Sequence, residues 1–128
     1  MANDKHLDLI PGDAAADLSA KQFYLVRRSG DALFNLCNGL VYHPAGILRN
    51  KPTAGQPCEV AVGYTPALLG DTCTAGQLLS CGALGTLVPL DVGLPWGACA
   101  RCEVGGVAGD IREVYFFPSG VSGKTLSP

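Results

Sequence analysis

Glycine and proline interrupt this chain so often that no long helix fits between them. The sequence holds 17 glycines and 9 prolines in 128 residues. Glycine weakens a helix interior and proline ends it. What fits is a series of short extended segments joined by tight turns. The runs between the breaks agree. QFYLVRR, 22–28, is aromatic and β-branched enough for a strand. SGD, 29–31, signals a turn, and ALFNL, 32–36, returns. Asn38-Gly39 marks another turn before Val41 and Tyr42. AGILR, 45–49, is a short strand stopped by Asn50, Lys51 and Pro52. CEVAV, 58–62, alternates, which puts Cys58, Val60 and Val62 on one face. QLLSC, GTLVPL, ACARCEV and IREVYFF supply the rest. Short strands with a turn about every ten residues predict an all-β fold, a small barrel or sandwich of antiparallel strands.

One turn device recurs. TAGQPCEV fills 53–60, TAGQLLSC fills 74–81, and VAGDIREV fills 107–114. Each reads as Ala-Gly-polar followed by a short apolar run. The glycine can take φ > 0 without steric cost, and the polar residue faces water. The spacings are unequal, so this is one turn chemistry used three times rather than a strict repeat.

The ends read differently from the body. Residues 1–16 are expected to form an arm, in which Leu7, Leu9 and Ile10 are apolar and Pro11-Gly12 is a break. The alternative is a solvated, mobile terminus. DAAADLSAKQ, 13–22, favours one or two helical turns, with Asp13 or Asp17 as cap. The folded domain is expected over 17–118, and 119–128 as a polar, frayed tail.

Composition narrows the function classes. The apolar fraction of 48% against 16% charged residues describes a globular chain. The net charge is −2, and Asp4, Asp8, Asp13 and Asp17 crowd the start. Phosphate backbones would repel that leader, so no nucleic-acid partner is expected. No segment reaches the roughly eighteen apolar residues of a membrane span, so no membrane is expected either. MANDKHLDLIPGD lacks the basic region and apolar core of a signal peptide, so synthesis and assembly in a reducing cytoplasm is the expectation.

Six cysteines, at 37, 58, 73, 81, 99 and 102, leave three readings open. They are packing residues, one or more disulfides, or a metal site. Cys99 and Cys102 form C-x-x-C, but no second pair at matched spacing accompanies it. The following EVGGVAGD cannot continue the helix that a redox motif opens. Cys37, Cys81 and Cys99 sit beside Leu, Gly or Ala, which favours packing.

Motifs for a reaction are thin. GKT at 123–125 lacks the upstream glycine of a phosphate loop. His43 has no carboxylate partner nearby in sequence, and Ser19 and Ser80 lack a nucleophile-elbow context. Glu59, Glu103 and Glu113 read as solvent faces of strands. Trp96, in LPWG, packs a strand start or, if exposed, marks a contact site. No catalytic residue, cofactor or metal is expected.

A resemblance runs through four segments in order: DLSAKQFYLV at 17–26, AGILRNKPTAGQPCEVAV at 45–62, LLGDTCTAGQLLSC at 68–81, and WGACARCEVGGVAGDIREVYFFPSG at 96–120. This succession resembles the small capsid cement, or head decoration, proteins of tailed phages. The 45–62 block is its most specific part. The chain departs from the family pattern at GYTPA, 63–67, and at DVGLPWG, 91–97, which are expected to be loops particular to this chain. The family commonly has small residues where this chain has Cys58, Cys99 and Cys102.

The resemblance implies a structural protein without a reaction. It would bind the outer surface of the expanded head, with the major capsid protein as partner and itself as homotrimer. It would sit at three-fold and quasi-three-fold positions and hold the shell against packaged DNA. Leu7, Asp8, Leu9, Ile10 and Pro11 are the candidate capsid-binding arm, acting as an added strand. The uncharged run 82–100 offers Leu84, Leu87, Val88, Leu90, Leu94 and Trp96 as subunit contact or core. The rival reading is a secreted, disulfide-linked β-sandwich that grips carbohydrate or protein through Trp96 and nearby tyrosines. A small β-barrel enzyme is a third reading, and no polar pocket in the sequence asks for it.

Overall fold

The computed structural model describes residues 7–38, 42–90 and 98–117. These form ten strands and no helix. In chain order they are β1 (Leu7–Ile10), β2 (Asp13–Ala14), β3 (Leu25–Gly30), β4 (Leu33–Leu36) and β5 (Gly46–Leu48). There follow β6 (Val60–Leu68), β7 (Leu78–Cys81), β8 (Leu87–Pro89), β9 (Ala100–Cys102) and β10 (Ile111–Phe116). All ten belong to one sheet, ordered β2-β4-β3-β5-β6-β10-β9-β7-β8, with β1 paired to β6 off that path. The fold is all-β, as the punctuation predicts. The sheet is open rather than closed into a barrel, because β2 and β8 end its path without pairing to each other. It is also mixed: β2 runs parallel to β4, and the other pairs are antiparallel.

β6 organises the sheet. Its nine residues pair with β5 through Ile47↔Ala61 and with β1 from Leu7↔Gly63 to Ile10↔Val60. They pair with β10 from Ile111↔Leu68 to Phe116↔Gly63. The strand expected at 58–62 therefore continues through GYTPA. Those residues are not a surface loop. Gly63, Thr65 and Ala67 are buried, because β10 supplies six consecutive partners that the local composition could not announce.

Two apolar cores lie on opposite sides of β3 and β5. The larger holds Leu25, Ile47, Val62, Leu69, Leu79, Leu87, Val114 and Phe116, with Cys37, Cys73, Cys81, Cys99 and Cys102. The smaller holds Ala14, Leu18, Val26, Phe34, Leu48, Cys58 and Val60. Alternation along β3 sends Leu25 into one and Val26 into the other. Ile47 and Leu48 divide the same way on β5. Fully burying a side chain of this size contributes about 1.5–3 kcal/mol, so strands buried on both faces contribute on each side.

Residues 7–18 pack onto the sheet. Ala14 and Leu18 are 2% exposed and roof the smaller core, and Ile10 packs against both cores. LDLI forms a strand that adds to β6 of the same chain. Residues 1–6 of the expected arm lie outside the described residues. No helical turn forms over 13–22. Asp13 pairs with Leu33 instead, and Asp17 accepts the Ser19 amide at 3.0 Å to fix a turn. The Ser19 side chain, and then that amide, lower the Asp17 pKa from its ordinary value. The tail at 119–128 lies outside the described residues.

The three repeated turns share one geometry. Gln56, Gln77 and Asp110 donate their amides to the carbonyls of Thr53, Thr74 and Val107 at 3.0, 3.1 and 3.0 Å. The same three side chains reach back to accept the amides of Thr53, Thr74 and Val107 at 2.9, 3.0 and 3.0 Å. The glycines hold φ of 83, 87 and 92°, the third-position requirement of a type II turn. Each glycine amide then donates to a neighbouring segment: Gly55 to Ala14, Gly76 to Cys102, Gly109 to Leu69. The device thus closes a turn and docks it at once.

Candidate functional site

The outer face of the sheet is the candidate site. Along β10, Val114 and Phe116 point into the larger core, so Glu113, Tyr115 and then Phe117 point out. On β9, Ala100 and Cys102 point in and Arg101 out. On β6, Thr65 and Ala67 are buried and Tyr64 and Pro66 are half-buried. The registers align the outward residues. Tyr64 lies opposite Tyr115, Tyr115 opposite Arg101, and Arg101 opposite Leu78. Leu90 continues the row, since its amide donates to Leu78 at 3.0 Å beyond the Leu79↔Pro89 pair. One row therefore crosses five strands, from β6 through β10, β9 and β7 to the end of β8.

Its chemistry is aromatic at one end and aliphatic at the other. The rings of Tyr64 and Tyr115 sit 4.8 Å apart, tilted by 55°. Phe117 meets Tyr115 edge-on at 5.9 Å. The Arg101 guanidinium lies 5.3 Å from the Tyr115 ring centre. Glu103 holds Arg101 through a 2.7 Å ion pair, which raises the arginine pKa further above its ordinary value. Leu78 and Leu90 are each 43% exposed at the far end. Tyrosine, arginine and paired aromatic rings are the side chains that anchor protein contacts.

The residues singled out from sequence divide. Leu87 is fully buried in the larger core, and Val88 is half-buried beside it. Leu90 belongs to the outer row, and Leu84 stands 74% exposed on the turn between β7 and β8. Leu94 and Trp96 lie outside the described residues. Of the candidate arm, Leu9 is 55% exposed, while Ile10 is core-facing. The Pro11 carbonyl accepts a bond from Arg28. The side chains of Leu7 and Asp8 lie outside the description, and their backbones pair with Gly63 and Val62.

Tyr64, Arg101, Tyr115 and Phe117 were not singled out from sequence. The signal was present in the alternation of EVYFF, where 113, 115 and 117 share a face opposite 114 and 116. What sequence lacked was the register that gathers them with Tyr64.

All six cysteines are free and buried, as the packing reading expects. Loss of water raises the pKa of Cys58 and Cys102, pushes Cys73 up to about 11, and raises Cys99 still further. These thiols are poor nucleophiles at neutral pH.

Fold and face together define an open-sheet, all-β domain with an aromatic contact row. No protein-family model matches the chain, and no curated protein matches it. Among solved structures, the fold is similar to that of the crystal structure of the head fiber gp8.5 N base in bacteriophage phi29. That likeness has a TM-score of 0.64 at 14% sequence identity, and covers 88% of this chain and 95% of that one. At such identity it is a likeness of fold.

Proposed function

We propose that this chain is a structural protein of a tailed-phage head, carried on the outer surface of the capsid. The observation that carries the reading is the shared fold with a phage head fiber base, nearly end to end on both chains. The sequence resemblance to head cement proteins points to the same place on a virion by an independent route. The proposal assigns no reaction and no cofactor.

Within it, the partner is the major capsid protein, and the assembly is a homotrimer at three-fold and quasi-three-fold positions. Three copies tied together convert weak single contacts into strong joint binding, because each later contact forms at high effective concentration. A protein that binds only the expanded shell stabilises that shell by mass action, which opposes DNA pressure. The row from Leu90 to Tyr64 is the surface assigned to contact with capsid or sister subunit. The chain is made and assembled in the host cytoplasm.

The test is co-sedimentation of the purified protein with decoration-free heads, unexpanded and expanded. Saturable binding to expanded heads, in multiples of three per local three-fold position, is the expected result. Binding to neither form would overturn the reading.

A further inference from the structure

A second feature lies away from the aromatic face. Ile10, Arg27, Arg28, Tyr42, His43, Pro44 and Ala45 line an open cleft of about 470 Å³. Arg27 and Arg28 are neighbours on β3, so strict alternation would separate them. Both pair in regular register with β4, Arg27 with Asn35 and Arg28 with Phe34, and both long side chains nonetheless line the cleft. The Arg28 guanidinium lies over the Phe34 ring at 4.2 Å and donates to the Pro11 carbonyl at 3.1 Å. The Arg27 guanidinium lies over the Tyr42 ring at 3.7 Å. Its Nε is buried and has no acceptor among the described residues.

We infer that this cleft is a docking site for an acidic peptide segment of a partner protein, with Arg27 holding its carboxylate. Each ring lies against one face of its guanidinium, so a ligand carboxylate would approach the planar edge; on Arg28 one terminal nitrogen already serves the Pro11 carbonyl. Among the described residues, the cleft lining holds two arginines and His43, and no acid. Among the described residues, neither arginine is in a salt bridge. Ile10, Pro44 and Ala45 supply apolar walls beside the cations. The ligand that matches is an aspartate or glutamate next to an apolar residue. Nucleic acid fits less well: it needs a track of cations, and this chain has net charge −2.

The inference does not depend on the head reading, and its test uses the isolated chain. The Arg27 Nε–H resonance of the 15N-labelled full-length protein is followed during titration with N-acetyl-Asp-Leu-amide, N-acetyl-Asn-Leu-amide and inorganic phosphate. The aspartyl peptide is expected to shift it saturably, binding about tenfold or more tighter than the asparaginyl peptide, as a charge-assisted bond requires. Arg27→Gln, checked for folding by its amide spectrum, is expected to abolish the peptide's effect on the remaining cleft amides. Tyr42→Leu keeps the charge, loses the stacking and is expected to weaken binding several-fold. No shift with the aspartyl peptide, or an equal response to the asparaginyl one, overturns the inference. Tighter binding of phosphate than of peptide also overturns it, in favour of a phosphate ligand. If deleting residues 1–6 moves the Arg27 resonance opposite to the peptide's shift, and the shortened chain then binds the peptide more tightly, the occupant is the chain's own leader and the partner is dismissed.

Discussion

A thiol that loses its water becomes a weaker acid, and five of the six cysteines here pack in one core. For Cys73 the folded pKa rises from 9.0 to about 11. A group raised in this way contributes stability that is fully present below the unfolded value and lost as pH climbs through the folded one. Chemical denaturation midpoints should therefore fall as pH is raised from 9.0 towards about 11. A flat profile through that window would contradict the buried-thiol account. Under native conditions near neutral pH, a disulfide-exchange reagent should label the cysteines slowly, and in denaturant it should label all six rapidly. The same scale holds a paired test of backbone strain. Gly55 has φ of 83° with open space where a Cβ would stand, so Gly55→Ala should cost about 1 kcal/mol through conformation alone. Ala32 is exposed on the β3–β4 turn with φ of 57°, so Ala32→Gly should stabilise by a similar amount. Urea denaturation reads both, and equal signs would refute the argument. Chemistry at this scale was legible in sequence: Ala-Gly-polar named its own turn, and cysteines among small apolar neighbours named their own burial. The Arg27 cleft was not legible, because it gathers Ile10, the two β3 arginines and residues 42–45, which only the tertiary fold brings together.

Strands are specified by partners as much as by their own residues. LDLI has the alternation of a strand, and sequence showed that much. Its partner, β6, begins fifty residues later, and composition cannot say whether the pairing is to self or to a neighbour. GYTPA carries a glycine and a proline and so reads as a break, yet Pro66 sits opposite Glu113 within the β6–β10 ladder. DAAADLSAKQ illustrates the converse: alanine favours helix locally, but burying Ala14 and Leu18 over the smaller core requires an extended entry. A chain beginning at residue 17 should thus lose the β1 and β2 ladders and uncover that core. Its stability is expected to fall by at least about 3 kcal/mol in denaturant titrations, from lost burial of Ile10 and Ala14 and lost backbone bonds. Unchanged stability would restore the picture of a detachable arm.

At the scale of the whole molecule, the open sheet leaves one broad face outward, and the proposed attachment rests there. Tyr115→Ala should weaken sedimentation with expanded heads at least tenfold if it is an anchor of that contact, a loss of about 1.4 kcal/mol or more. Because Tyr115 faces outward, the fold should survive, as circular dichroism would verify. Val107→Ala, exposed on the third turn and outside the row, serves as the control and should bind normally. Sequence announced the all-β class but not that face, since its members come from β6, β7, β9 and β10 and only register assembles them. The same register has a further consequence. Leu7 and Phe116 both lie opposite Gly63, so the chain enters and leaves the domain within roughly 10 Å, two inter-strand spacings. β10 runs toward that point and β1 runs on from it in the same direction. Joining the two ends by a short linker and opening the chain at the exposed Ala54-Gly55 tip should give a rearranged protein that still folds. For the same reason, cargo fused directly to Leu7 and cargo fused directly to Phe117 would emerge from neighbouring points of the sheet.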